Sequence, residues 1–401
     1  MKLRNILAAA LVCGAALNAQ AQFRYVRVWQ NGESTRLPMA DFVYSNNSNN
    51  GRTVTIDGQP FATSEVDSIT LVHTIYVNYD GGTATVDTRQ APGVTATVDG
   101  AYVTITNTTV GQEMEFVVSG TTSDGGLLYN GAYKCKFLLN GVNITSKRGA
   151  AIDIECGKRI DLLLVKGTDN VLVDAAGGTQ KAALYCDGHM EIDGDGNLTV
   201  TGNTRHAIAT NEYLRLKPGT GRITIPSATG DGIHAGQYFL MNDGTIEARN
   251  LGGDGIQAEI TKNPLDEMNG QLFINGGNIT LDIASPDVKG IKCDGDMQIT
   301  GGTFAITASG AGSKGISCPG NMLINQANNP TDITITASGG IYTDPVTEET
   351  SRCMGIKVDF DLTIEAGTVT VYNTGSGSRG IKVDGKYTKG AAAVVKASVK
   401  N

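Results

Sequence analysis

Short runs of alternating apolar and polar residues recur from about residue 74 to the end of the chain. Gly, Asp and Asn punctuate them. Such runs predict short, half-buried strands joined by tight turns. No segment holds a sustained helical period. One pattern repeats: a small residue, then Ile or Leu, then a polar and a small apolar residue. It reads Ala151-Ile152-Asp153-Ile154, Ala183-Leu184-Tyr185-Cys186 and Ala207-Ile208-Ala209-Thr210. It continues with Ile233, Ile256, Ile291, Ile316, Ile356 and Ile381, each preceded by Gly. The base period is 23 to 25 residues, with longer turns of 32, 35 and 40.

Periods of this size predict a solenoid. The Leu framework and Asn column of leucine-rich repeats are missing. The coil starting at Ile291 is expected to hold three strands, at 291–293, Met297–Ile299 and 303–307, with turns at 294–296 and 301–302. The predicted fold is all-β: a right-handed parallel β-helix of about nine three-strand coils, the hand following from the crossover rule. At about 4.8 Å per coil the rod is roughly 40 Å long. The nine repeat positions, Ile152 to Ile381, then form one inward ladder, and Ile154, Cys186, Cys293, Cys318 and Val358 fall on a second. The cysteines there read as small core residues, and a Cys293–Cys318 bridge between neighbouring coils stays open. Extra residues in the long coils are placed near 166–176, 262–269 and 342–352.

The ends differ from the repeats. Residues 1–21 carry a basic start, an apolar stretch and Ala19-Gln20-Ala21, the pattern of a cleaved export leader. The apolar stretch is too short for a stable membrane anchor, and Cys13 lacks a lipoprotein context. An exported chain is expected, periplasmic, extracellular or surface-associated, monomeric and without a membrane span. Residues 22–73 hold Trp29 and read as a small N-terminal β segment. Residues 74–143 read as a cap with irregular first coils that shields the open end. The β-helix follows over 144–401.

Composition sharpens this. There are 52 Gly but 9 Phe and 1 Trp, and only 18% of residues are charged, as many short strands with tight turns require. Without Lys2 and Arg4, 30 basic residues face 40 acidic ones, a net of −10. That argues against nucleic acid as a partner and is compatible with cations. No CxxC pair supports a zinc finger.

Two columns carry candidate chemistry. Two residues before the repeat Ile stand His206, Asp231, Asp254, Lys289, Lys314 and Arg379. Asp231 and Asp254 fall on adjacent coils, where stacked carboxylates about 5 Å apart repel by about 1 kcal/mol in water. A calcium ion would relieve this, with Glu259, Asp243 and Asp195 as further ligands. Turn hydrogen bonds explain the same residues. One residue after the Ile stand Tyr185, His234, Lys292, Lys357 and Lys382. With Lys289, Lys314 and Arg379 they make a basic stripe on an acidic protein. Such cations pair with carboxylates of a uronate polymer, and Tyr185 offers a ring to a sugar face. Ion pairs with Asp294, Asp359 and Asp384, two residues on, explain the lysines equally.

The segment Leu138-Leu139-Asn140-Gly141-Val142-Asn143-Ile144, then Gly157-Lys158-Arg159-Ile160 and Gly167-Thr168-Asp169-Asn170, resembles a known family. So do the Gly-Asp-Gly-Ile turns ending at Ile233 and Ile256, and Lys289-Gly290-Ile291-Lys292 and Lys314-Gly315-Ile316. The family is a bacterial group of secreted carbohydrate-binding β-helix proteins, similar in fold to pectate lyases. The resemblance spans roughly residues 102–385. It implies binding of plant cell-wall polysaccharide, notably acidic sugar polymers and cellulose, with bound calcium. It assigns no individual ligand residue.

Three functions follow: a non-catalytic binder of acidic polysaccharide, a calcium-dependent lyase with Lys289 beside Asp254 as base, and a structural or adhesive rod. The binder is the reading preferred, since no catalytic constellation is sharp.

Overall fold

The computed structural model describes residues 23–30, 33–38, 42–47, 51–261, 263–327 and 329–400. The expected leader, residues 1–21, lies outside them. All the regular elements described are strands. Among the described residues no helix is long and apolar enough to cross a membrane.

The repeat positions pair in parallel, each with its counterpart one repeat ahead. Ile152 pairs with Leu184, Leu184 with Ile208, and Ile208 with Ile233. The register runs on unbroken through Ile256, Ile291, Ile316 and Ile356 to Ile381. All nine side chains are fully buried. These strands belong to a 13-stranded sheet, the first face. In the coil beginning at Lys289–Cys293, the chain turns into Met297–Ile299 and then Gly302–Ala308. Met297–Ile299 pairs with Leu272–Ile274 behind and Met322–Ile324 ahead, on a second face. Gly302–Ala308 pairs with Asn278–Ile283 and Thr331–Ala337, on a third. Cys135–Thr145 and Leu362–Asn373 are long enough to pair on both of these faces, so the two ladders count as one 22-stranded sheet.

Alternation explains the core. In Gly302–Ala308 every second side chain is buried, and one continuous apolar cluster runs from Ile75 to Ala393. The Gly before each later repeat Ile is sterically required. A Cβ at Gly255 would lie 2.4 Å from the Gly290 carbonyl oxygen, and one at Gly290 2.5 Å from that of Gly315. Coils therefore pack backbone on backbone at that corner.

The long coils keep the core intact. Asp169–Val173 is a ladder strand, not the loop expected near 166–176, because its alternation buries Asn170 and Leu172. The extra residues of that coil follow it, at 174–181. A hairpin of Ile341–Thr343 and Thr350–Arg352 occupies the third expected insertion. Cys293 and Cys318 sit side by side as buried thiols, Sγ to Sγ 3.8 Å.

At the N-terminal side, Ser68–Asp80 crosses the boundary expected near 73. Its first half pairs antiparallel with Phe23–Gln30, its second half parallel with Met114–Thr122. Glu115, fully buried, is held by Arg27 and Arg36, each at 2.7 Å. One carboxylate thus clamps the N-terminal strands to the solenoid.

Candidate functional site

The column before the repeat Ile builds a polar chain along one corner. Asp231 N–H donates to His206 Nδ1 at 2.9 Å. Asp254 N–H donates to Asp231 Oδ1 at 2.7 Å, and Lys289 N–H to Asp254 Oδ1 at 2.8 Å. Each side chain thus satisfies the backbone of the next coil, a local acceptor role suited to Asp at turns. His206, Asp231 and Asp254 are buried.

The other oxygen of Asp231 is also engaged. Oδ2 lies 2.8 Å from His234 Nδ1 and 3.2 Å from His206 Nδ1. The two imidazoles stack, centroids 4.5 Å apart. With its amide nitrogen turned inward, Gln257 donates to the same oxygen at 3.0 Å and accepts from Lys292 Nζ at 3.2 Å. His234 Nε2 meets Glu259 at 3.1 Å. Burial would push the Asp231 carboxyl up, but the close ring nitrogens of His206 and His234 prevail and hold it well below the carboxylate range. Burial pushes the Asp254 carboxyl up, against the pull of the Lys289 amide.

This arrangement separates the five expected calcium ligands. Asp231, Asp254 and Glu259 share one corner. Asp243 and Asp195 lie elsewhere, in turns between the second and third faces. Asp243 caps Gly219 N–H at 3.0 Å, and Asp195 pairs with Lys166 at 3.0 Å. Calcium takes about six to eight oxygen ligands. Asp231 is instead surrounded by ring and amide nitrogens, so this donor set does not fit a calcium cage.

The basic stripe divides too. Lys292, Lys357 and Lys382 keep partly exposed side chains, 31%, 31% and 24%, with Asp294, Asp359 and Asp384 beside them. Arg379 makes no ion pair among the described residues. Lys314 is not part of an open stripe: it is 6% exposed, because its ammonium is drawn inward to Asp287 at 2.9 Å and to Ser351. Burial lowers the Lys314 pKa, with Asp287 opposing. The Lys289 ammonium likewise turns to Asp287, not to Asp254. Asp287 thus gathers both lysines from a left-handed turn (φ 54°).

Tyr185 does not offer a ring to a sugar. It is 4% exposed, packed on Ala182 and Ala209, with its hydroxyl 3.4 Å from Asp187. The sequence did not mark the acidic group around it. Gln180 bridges Asp153 and Glu155 at 3.0 and 3.1 Å. Burial, with Glu155 and Asp187 nearby, pushes the Asp153 carboxyl up to about 6, although the Gln180 hydrogen bond opposes. A second unmarked feature lies on the second face. There Asp296, Gln298, Asn321, Asp361, Thr363 and Glu365 line most of a shallow cleft of about 320 Å³. Neither was legible, because each joins residues from different coils.

The family model for carbohydrate-binding domain-containing proteins matches residues 99–393. A carbohydrate-binding domain-containing protein of Acetivibrio thermocellus is 31% identical over 132 residues, covering 30% of this chain and 46% of that protein. The serine protease pet autotransporter of Escherichia coli O44:H18 is 26% identical over 170 residues, covering 38% of this chain and 13% of that protein. The chain thus spans less than half the length of these curated relatives. A solved structure, that of the polysaccharide lyase-like protein from C. thermocellum in a gadolinium derivative, shares 20% identity with a TM-score of 0.49, over 80% of this chain and 99% of the other. The chain belongs to the family of carbohydrate-binding domain-containing proteins.

Proposed function

We propose that this protein binds plant cell-wall-type polysaccharide without cleaving it, with acidic, polygalacturonate-like polymers preferred. The observation that carries the preference is the in-register column Lys292, Lys357 and Lys382. Exposed ion pairs contribute about 0–1 kcal/mol each. A uronate carboxylate can therefore replace Asp294, Asp359 or Asp384 at little cost. In this reading the solenoid is a right-handed β-helix of about nine regular coils, exported and monomeric. Calcium assistance would come from exposed turn carboxylates such as Asp195 and Asp243 together with those of the polymer. Lyase chemistry is the weaker alternative, since Lys289 directs its ammonium to Asp287.

The cleft around Gln298 favours a second reading, a neutral sugar. Its lining holds carboxylates, amides and a hydroxyl but no cation, a set that bonds sugar hydroxyls and repels uronates.

The experiment incubates the protein with uronate polymers and neutral glucans, with calcium or chelator, and follows retention and unsaturated product by ultraviolet absorbance. Retention without product is expected. Product formation would make the protein a lyase, and no retention on any polymer would leave a structural rod.

A further inference from the structure

Three ligand-type atoms converge at the His206–Asp231–His234 corner: Nδ1 of each imidazole and Asp231 Oδ2, with the three residues' ligand atoms all within 4.8 Å of one another. His206 Nδ1 accepts Asp231 N–H, so in the neutral ring it carries no proton to give Asp231 Oδ2, 3.2 Å away. Its Nε2 is buried and has no partner. At His234 the second nitrogen faces the Glu259 carboxylate at 3.1 Å. If Nε2 donates there, the Nδ1 lone pair faces Asp231 Oδ2 at 2.8 Å. Neutral rings therefore leave acceptor facing acceptor at a buried carboxylate. A proton on one ring relieves one such contact. A divalent ion relieves all of them.

Two imidazoles and a carboxylate are borderline donors, suited to zinc rather than calcium. Ligands about 2.0–2.2 Å from a tetrahedral ion lie a little over 3 Å apart, near the 2.8 and 3.2 Å found. Binding requires the stacked rings to turn by a small torsion and His206 to release the Asp231 amide. Glu259 is placed as the outer carboxylate that orients a metal-bound histidine.

We propose that His206, Asp231 and His234 form a binding site for one divalent ion of the zinc type, with Glu259 as positioning residue. This goes beyond the polysaccharide reading and does not depend on it.

The test is calorimetric titration of chelator-treated, tag-free protein with Zn2+ and with Ca2+, followed by the visible spectrum of a Co2+ complex. Expected is one Zn2+ per chain, at least 100-fold tighter than Ca2+, and d–d bands of low-symmetry Co2+. His234→Ala, at a part-exposed position, should weaken Zn2+ at least tenfold, and Glu259→Gln about tenfold. Both variants are checked for native circular dichroism, and His206→Gln gives a second ligand variant. Absence of Zn2+ binding, or Zn2+ binding unchanged in folded His234→Ala, would overturn the proposal. Polymer retention is scored separately, so failure of either reading is visible alone.

Discussion

Asp231 accepts the backbone N–H of Asp254 from the next coil at 2.7 Å, while its other oxygen meets His234 at 2.8 Å. One buried carboxylate thus ties two coils and orders a ring. Removing it leaves the buried Asp254 amide without its acceptor and strips the polar partner from the stacked rings of His206 and His234. Asp231→Ala is expected to cost about 3 kcal/mol in chemical denaturation. Asp254→Asn keeps an oxygen for Lys289 N–H and removes a charge that burial disfavours, so it should stay within about 1 kcal/mol. Equal losses in the two variants would show that the Asp231 contacts do not hold this corner.

Asp153 gives a pH signature. Its folded pKa, about 6, lies above the unfolded value near 4. The folded state therefore binds more protons between these values, and stability falls as pH rises through that window. Asp153→Asn should remove the penalty. We expect a gain of about 1–2 kcal/mol at pH 7, discounted for partial exposure, that fades below pH about 4. Denaturation midpoints from pH 4 to 7 measure it, and a gain independent of pH would contradict the assignment.

Tyr185 is a core residue despite its outward column. Tyr185→Ala should destabilise by about 3 kcal/mol or more and leave polymer retention of the folded protein unchanged. Selective loss of retention with native stability would return the ring to the binding surface.

These cases mark what can be read from a linear chain. The ladder from Ile152 to Ile381 was legible because a solenoid turns a sequence period directly into strand register. The surface was less legible. Tyr185 and Lys314 fall in columns that also carry exposed residues, yet each is buried with help from other coils, Tyr185 by Ala209 of the next coil and by Ala182 of its own strand, Lys314 by Asp287 and Ser351. His206 and His234 are 28 residues apart, and only stacking brings their rings to one carboxylate. The period says nothing of which carboxylate a lysine will choose.

Lys292, Lys357 and Lys382 should be dispensable for folding. Exchanging Lys357 or Lys382 for Gln breaks only part-exposed ion pairs, so each is expected to change stability by less than about 0.5 kcal/mol. Lys292→Gln also removes the hydrogen bond to Gln257 and the 3.9 Å contact with Asp254, and is expected to cost about 1 kcal/mol. Thermal unfolding of the single variants checks this, and a loss of several kcal/mol in any of them would place that lysine in the structural framework instead.

The most direct measurement is elution of native protein and of the triple variant Lys292→Gln, Lys357→Gln, Lys382→Gln from immobilised polygalacturonate over a salt gradient. Salt screens exposed charges, so retention through this column must weaken as salt rises. Native protein is expected to be retained at low salt, and the folded triple variant to elute markedly earlier. Native protein passing unretained, or a triple variant eluting with the native chain, would contradict binding through these lysines.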